Sequence, residues 1–239
     1  MALTFVLSAT GTDVGKTHLG EALIRALPDA CSLSVWKPYE SGLAPGHDAD
    51  SQRLQRAVAA RSQRALAPCR MIPPLAQFVL PLAPPLAAAR EGSTLPSTTL
   101  RAQLLEIERS EQGIFLLELV GGLFAPICDD MLGVDVVRAL SAPRVVVVAP
   151  NRLGVLHDVL ATVRAASAAG IEVAQLVLSS CMQDASSADN AQALAALLAG
   201  PPYRWSAPPA APLHVLPHAS PEELATSAEL RALIAALTK

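Results

Sequence analysis

Aromatic residues make up only 3% of this 239-residue chain, so its core has to be assembled from Ala, Leu and Val. Charged residues are sparse too, at 16% against 51% hydrophobic, a balance that describes a globular protein and excludes a disordered one. There is no basic surplus. The formal net charge is −3 and the isoelectric point about 5.9, which gives no electrostatic reason to expect nucleic acid or an anionic membrane surface as a partner. Any phosphate site has to be local. Cys31, Cys69, Cys128 and Cys181 contain no C-x-x-C pair, so they suit neither a zinc cluster nor a disulfide framework and read as small buried thiols in a reducing compartment. His18, His47, His157, His214 and His218 show no metal-ligand spacing either. No apolar run approaches the roughly 18 residues of a membrane span. The opening "MALTFVLSAT" lacks a basic leader and reads as a strand instead of a signal peptide. A cytoplasmic protein is expected.

What is present is an alternation of apolar runs and helical patterns, the signature of an α/β fold with a mostly parallel sheet and helices on both faces. Strands are expected at 3–9, 31–38, 113–120, 144–150, 171–180 and 213–217, and helices at 16–27, 155–170 and 220–237. The helix at 155–170 ends on a glycine suited to a C′ position. The one at 220–237 opens with a serine cap, a proline and acidic residues. Residues 61–100, rich in proline but interleaved with Leu, Ile and Phe, read as a pocket wall packed on the sheet. A second proline-rich connection spans 200–212. With no repeat and no linker in between, one domain over residues 1–239 is expected.

The first strand runs into "SATGTDVGKTHLG" (8–20). A strand that ends in a glycine-rich turn opening a helix aims free backbone N–H groups, and the positive end of the helix dipole, at polyphosphate. In that frame Gly15 lets the backbone approach, Lys16 reaches the terminal phosphates and the Thr17 hydroxyl sits on Mg²⁺. One thing is missing. The usual loop has a glycine at position 10, where this chain has Thr10, with Gly11 one residue late.

Three further carboxylates and one lysine stand out. Lys37, in "WKPYESG" (36–42), follows the second expected strand at the edge where open sheets bind ligands. Asp48 and Asp50 stand where a helix begins, as N-terminal caps or, alternatively, as oxygen ligands for Mg²⁺. Glu118 interrupts an apolar strand just before Gly121 and Gly122. A carboxylate there needs a balancing cation, and beside a phosphate loop a metal ion supplies one.

Together these residues resemble the dethiobiotin synthase family. The marks occur in order: "GTD" and "VGKT" at 11–17, "KPYESG" at 37–42, an acidic helix start at Asp50, "APPLAAAREG" at 83–92, "ELVGG" at 118–122, Pro126, and "RLGVLHDVLAT" at 152–162. The resemblance implies a P-loop NTPase-like three-layer sandwich acting as a homodimer, with ATP as co-substrate and Mg²⁺ as cofactor. It implies carboxylation of the diamine 7,8-diaminononanoate by CO₂ or bicarbonate, and closure of a cyclic urea through a phosphorylated carbamate.

Carried over residue by residue, the resemblance makes Lys16 and Lys37 catalytic. Gly11, Thr12, Asp13, Val14, Gly15, Lys16 and Thr17, with Glu118, Gly121 and Gly122, bind nucleotide. Thr17, Asp50 and Glu118 hold the metal. Lys37 and Ser41 meet the diamine, while Leu153, Gly154, Val155 and His157 meet its carboxylate across the dimer interface. The departures fall around the nucleotide. The loop is two residues shorter than the family's between Asp13 and Val14, and Leu119 and Val120 are bulkier than the family's residues. Ser179 and Ser180 stand in place of an Asn-Asp pair that reads adenine, next to Pro217 and His218 from another adenine-contacting segment. A hydroxyl lacks the paired donor and acceptor of an amide. His157 replaces a substrate-binding asparagine. Two other readings stay open: a relative that keeps the fold without this turnover, and a partition or regulatory P-loop ATPase, which would carry an extra lysine where Gly11 stands.

Overall fold

Runs of branched apolar residues, covered on both sides, build the strands at the centre of the molecule. The computed structural model of the chain describes residues 2–43, 46, 48–181, 184–199 and 212–239. In chain order the first half comprises β1 (Leu3–Ala9), α1 (Lys16–Ala26), β2 (Leu33–Trp36), β3 (Tyr39–Ser41), α2 (Asp50–Ser62), β4 (Cys69–Ile72), β5 (Ala76–Phe78), α3 (Pro84–Arg90) and α4 (Ser97–Ser110). The chain continues through β6 (Ile114–Glu118), β7 (Pro126–Cys128), β8 (Met131–Leu132), α5 (Gly133–Arg138), β9 (Arg144–Pro150), α6 (Val155–Ala168) and β10 (Val173–Ser179). It ends with α7 (Asn190–Ala199), β11 (Leu213–Leu216), α8 (Pro221–Leu224) and α9 (Ala228–Leu237).

Seven strands form one parallel sheet in the order β11-β10-β9-β1-β6-β2-β4, and β3 pairs with β5 in a small ribbon beside it. Alternate side chains of each strand feed opposite faces. Phe5, Leu7, Leu116 and Val146 pack with α1, α2 and α9, whereas Val6, Leu117 and Val147 pack with α3, α4, α5 and α6. This is the three-layer α/β fold that the alternation predicts. Because every pairing in the sheet is parallel, the turns after β1, β2, β6, β9, β10 and β11 all emerge on one edge.

The strands match expectation closely at 3–9 and 144–150 and are trimmed elsewhere. The second strand stops at Trp36, before Pro38, which has no N–H to give to a ladder. The helix at 155–170 ends as its glycine predicts. Gly170 takes φ +73°, its N–H bonds Ser167 O and that of Ile171 bonds Ala166 O. Two expectations need correction. The helix at 220–237 is two helices, because Ser227 accepts from Leu230 N–H and starts a new one. Only Cys128 is a buried thiol: Cys31 and Cys69 are half-buried, Cys181 is exposed, and all four are free. Residues 61–100 do wall a cavity, but β4, β5 and α3 within them are too short to show a period. Most of the proline-rich connection at 200–212, and His47, lie outside the described residues. Among the described residues no helix is long and apolar enough to cross a membrane.

The two helices that carry site residues are locked together by Arg61 of α2, which is 1% exposed. Its guanidinium donates to the carbonyls of Ile24, Leu27, Pro28 (2.6 Å) and Cys31 (3.1 Å), where α1 ends. Arg61→Leu strands those acceptors, and a loss on the order of 3 kcal/mol is expected, read as a lower urea midpoint.

Candidate functional site

The site starts from the sheet register. Trp36 of β2 lies opposite Leu117 of β6, so the next residues, Lys37 and Glu118, meet at the carboxyl edge. Lys37 Nζ donates to Glu118 Oε1 at 2.7 Å and to Asp50 Oδ2, from the first turn of α2, at 2.5 Å. Lys37 and Glu118 are 3% and 1% exposed. The Thr17 hydroxyl, one residue into α1, donates to the same Glu118 Oε1 at 2.7 Å. Glu118 Oε2 is buried with no hydrogen-bond partner.

Between β1 and α1 the loop brings its backbone against β10. Gly15 has φ +96°, and a Cβ there would lie 2.4 Å from Ser179 Oγ and 2.8 Å from Cys181 Sγ, so both conformation and space require glycine. Asp13 takes φ +55° without being glycine. Lys16 Nζ folds back to the Gly11 carbonyl at 3.2 Å. On the other side Gly122 packs on β1, where a Cβ would approach Ala9 O to 3.0 Å.

Charge follows this geometry. Burial pushes the Lys16 pKa down and the nearby Lys37 charge adds to that, with Glu118 opposing. Burial works the same way on Lys37, but the Glu118 and Asp50 carboxylates outweigh it and hold its pKa above the ordinary 10.5. Asp50 is raised by burial and lowered more strongly by Lys37, so it stays below the ordinary 3.8. The chain has three lysines, Lys16, Lys37 and Lys239. Two of them face one cavity.

That cavity, about 410 Å³, is lined by Thr12, Asp13, Val14, Gly15, Lys16, Thr17, Lys37, Ser41, Asp50 and Gly121, together with Glu40, Arg53 and Cys181. Two others adjoin it. One of about 160 Å³ shares Gly15, His18 and Cys181 with it and adds Ser179, Pro217 and His218. One of about 470 Å³ shares Thr12, Asp13, Ser41, Val120 and Gly121 and is otherwise walled by Gly42, Pro81, Leu82, Ala83, Pro84, Ala125 and Pro126. Ser180 takes part through its carbonyl, which accepts from His218 Nδ1 at 2.9 Å. Gly11 and Gly122 support the loop from behind.

The structure does not bring Leu153, Gly154, Val155 or His157 to any of these cavities. They stand at the start of α6, with Leu153 75% exposed. The Leu153 amide, one of the groups expected to receive a carboxylate, donates to Asp184 Oδ2 at 2.7 Å. The capping alternative for the two aspartates is corrected. The N-cap of α2 is Ala49, Asp50 is the first helical residue, and Asp48 pairs with Arg56 at 2.7 Å. Sequence reading missed Glu40, Arg53, which pairs with Glu21 at 2.6 Å, and Cys181. With Asp48 and Asp50 both available as caps, nothing local pointed to Glu40, ten residues from the Asp50 amide that it meets.

Asp50 has a pKa depressed in the folded state, so its stabilising contribution is present above the unfolded value and is lost as pH falls through the folded one. The difference in urea midpoint between the wild type and Asp50→Asn is therefore expected to be full at neutral pH and to shrink below about pH 4.

Comparison with known proteins fits this geometry. A family model described as an AAA domain matches residues 3–211. The ATP-dependent dethiobiotin synthetase BioD of Caulobacter sp. (strain K31) is 35% identical over 198 residues, 82% of this chain and 84% of that protein. The proteins of the same name from Rhodopirellula baltica and Bacillus subtilis (strain 168) are 35% and 32% identical, covering 74% and 73% of this chain and 73% of each relative.

Proposed function

Because the chain belongs to the ATP-dependent dethiobiotin synthetase family, we propose that it carboxylates 7,8-diaminononanoate with CO₂ and closes the cyclic urea of dethiobiotin at the expense of ATP. The observation that carries this reading is the gathering of Lys16, Lys37, Thr17 and Asp50 around one cavity at the carboxyl edge of the sheet, with Glu118 buried beside it and bonded to Lys37 and Thr17. One amine of the substrate adds to CO₂ and loses a proton to give a carbamate. A carbamate oxygen then attacks the terminal phosphorus of ATP, and ADP leaves. The second amine attacks the carbamoyl carbon of the mixed anhydride, forming the second C–N bond as phosphate departs. The protein's task is to hold the reactants in line and to meet the charge that spreads over the transferring group. The Lys16 ammonium neutralises the terminal phosphates, and the Lys37 ammonium faces the carbamate and the phosphoryl oxygens.

The residues present fit Mg²⁺. Its preference for one or two carboxylates completed by phosphate and water matches Asp50, Glu118 and the Thr17 hydroxyl, and Glu118 Oε2 is a buried acceptor without a donor. When bound, the ion neutralises phosphate charge.

The 160 Å³ pocket takes the base and the 470 Å³ pocket the alkyl chain of the diamine. Ser179 gives the base pocket a hydroxyl where the family has an amide, and His218 Nδ1 is committed to the Ser180 carbonyl. Base discrimination is accordingly slight. The whole chain acts as one unit in a cytoplasmic homodimer, where a second copy offers Leu153, Gly154, Val155 and His157 to the substrate carboxylate. That they lie outside the cavities of their own chain supports this, and the Leu153 amide exchanges Asp184 for the substrate.

With diaminononanoate, bicarbonate and Mg²⁺, dethiobiotin and phosphate should form in equal amounts, with rates on ATP, CTP and GTP within about tenfold of one another. Lys37→Gln should lower turnover by roughly 10²–10³-fold. Phosphate release without cyclic urea would contradict the reading, and circular dichroism of the variant separates lost chemistry from lost fold, since Glu118 is left buried beside it.

A further inference from the structure

Glu40 is 4% exposed and lines the main cavity, yet no role above uses it. Its carboxylate is fully engaged. Oε1 accepts from the backbone N–H groups of Asp50 and Ser51 (3.3 Å), and Oε2 accepts from Ser51 Oγ (2.6 Å) and Gln77 Nε2 (3.1 Å). Four donors use up the acceptor sites of a carboxylate, which leaves Glu40 no capacity for a metal ion or an amine. Glu118, with its bare Oε2, is the opposite case.

The first-turn amides of a helix have no partner within it and are ordinarily met by the side chain at the N-cap. Here the N-cap is Ala49, which has nothing to offer. Glu40 reaches in from β3 and supplies the acceptor, and its negative charge suits the positive end of α2. Gln77, its in-register neighbour on β5, holds the same carboxylate from the other side. The helix start is thereby tied to the ribbon strand β3, in which Glu40 follows Lys37 by three residues. Asp50 is the first residue of that helix, and its carboxylate reaches Lys37 Nζ at 2.5 Å.

We propose that Glu40 is a positioning residue: by capping α2 from outside, it aims Asp50 at Lys37 and at the ion held with the nucleotide. This rests on the ligase reading for its consequence and on the cap alone for its geometry. Outer partners that orient a ligand alter metal affinity without touching the metal.

The test uses the full chain. Hydrogen exchange of the Asp50 and Ser51 amides is followed in the nucleotide-free protein. Mn²⁺ binding is followed by electron paramagnetic resonance with a non-hydrolysable ATP analogue. In Glu40→Ala the two amides should exchange at least about tenfold faster, and Mn²⁺ should bind about tenfold more weakly, with nucleotide binding in the absence of metal unchanged. Adding Ala49→Ser, which restores a local acceptor for the Ser51 amide, should recover the exchange of that amide and the binding of Mn²⁺. Glu40→Gln keeps an oxygen for the two amides and should stay near the wild type. Unchanged exchange in Glu40→Ala would overturn the cap. Faster exchange with Mn²⁺ affinity within about twofold of the wild type would overturn the positioning role, as would a loss that Ala49→Ser does not repair. Should Glu40→Ala not fold, Ser51→Ala decides in its place. It should weaken Mn²⁺ binding severalfold, and unchanged binding would overturn the role. A wild type that takes up no Mn²⁺ with nucleotide counts against the ligase reading, and the exchange measurement still decides the cap.

Discussion

The Lys37 ammonium, buried between Glu118 and Asp50, is the interaction on which the rest of the site depends. A charge this deep persists only if it is paired and hydrogen-bonded, and every partner is delivered by a different piece of secondary structure. Glu118 comes from β6 through the register of the parallel sheet and Asp50 from the first turn of α2, while Thr17, from the first turn of α1, donates to the same Glu118. Removing the ammonium would leave two carboxylates facing each other. The pair thus sets a condition on three elements at once, and the packing of α1 on α2, fastened by Arg61, is what satisfies it.

Around this centre the phosphate loop divides the surface into three adjoining cavities. Its glycine backbone is pressed against Ser179 and Cys181 on one side, and Thr12 and Asp13 face Ser41 and the proline-rich wall on the other. Within the loop Asp13 takes a left-handed conformation, and the chain closes into a helix whose first residues are Lys16 and Thr17.

The sheet and the charged centre were legible in the sequence for physical reasons. Central parallel strands are covered on both faces, so "LTFVLSA" and "RVVVVAP" are nearly unbroken apolar runs, and the one carboxylate that interrupts such a run, Glu118, has to be functional or paired. Short pieces without a full period, such as β4, β5 and α3, gave no such signal. The cap of α2 was illegible for a different reason: its acceptor, Glu40, lies ten residues away in the chain, and only the folded ribbon brings it to Ala49. Proximity in the chain likewise suggested one helix at 220–237, where a serine that competes for a backbone amide divides it in two.

The two lysines of the cavity are pushed in opposite directions, Lys16 by burial and its like-charged neighbour, Lys37 by the carboxylates that grip it. With only three lysines in the chain, lysine-selective ¹³C labelling and a pH titration followed by NMR read this directly. Lys16 is expected to lose its proton below the ordinary 10.5 while Lys37 stays charged well above it. Both titrating together at the ordinary value would contradict the account.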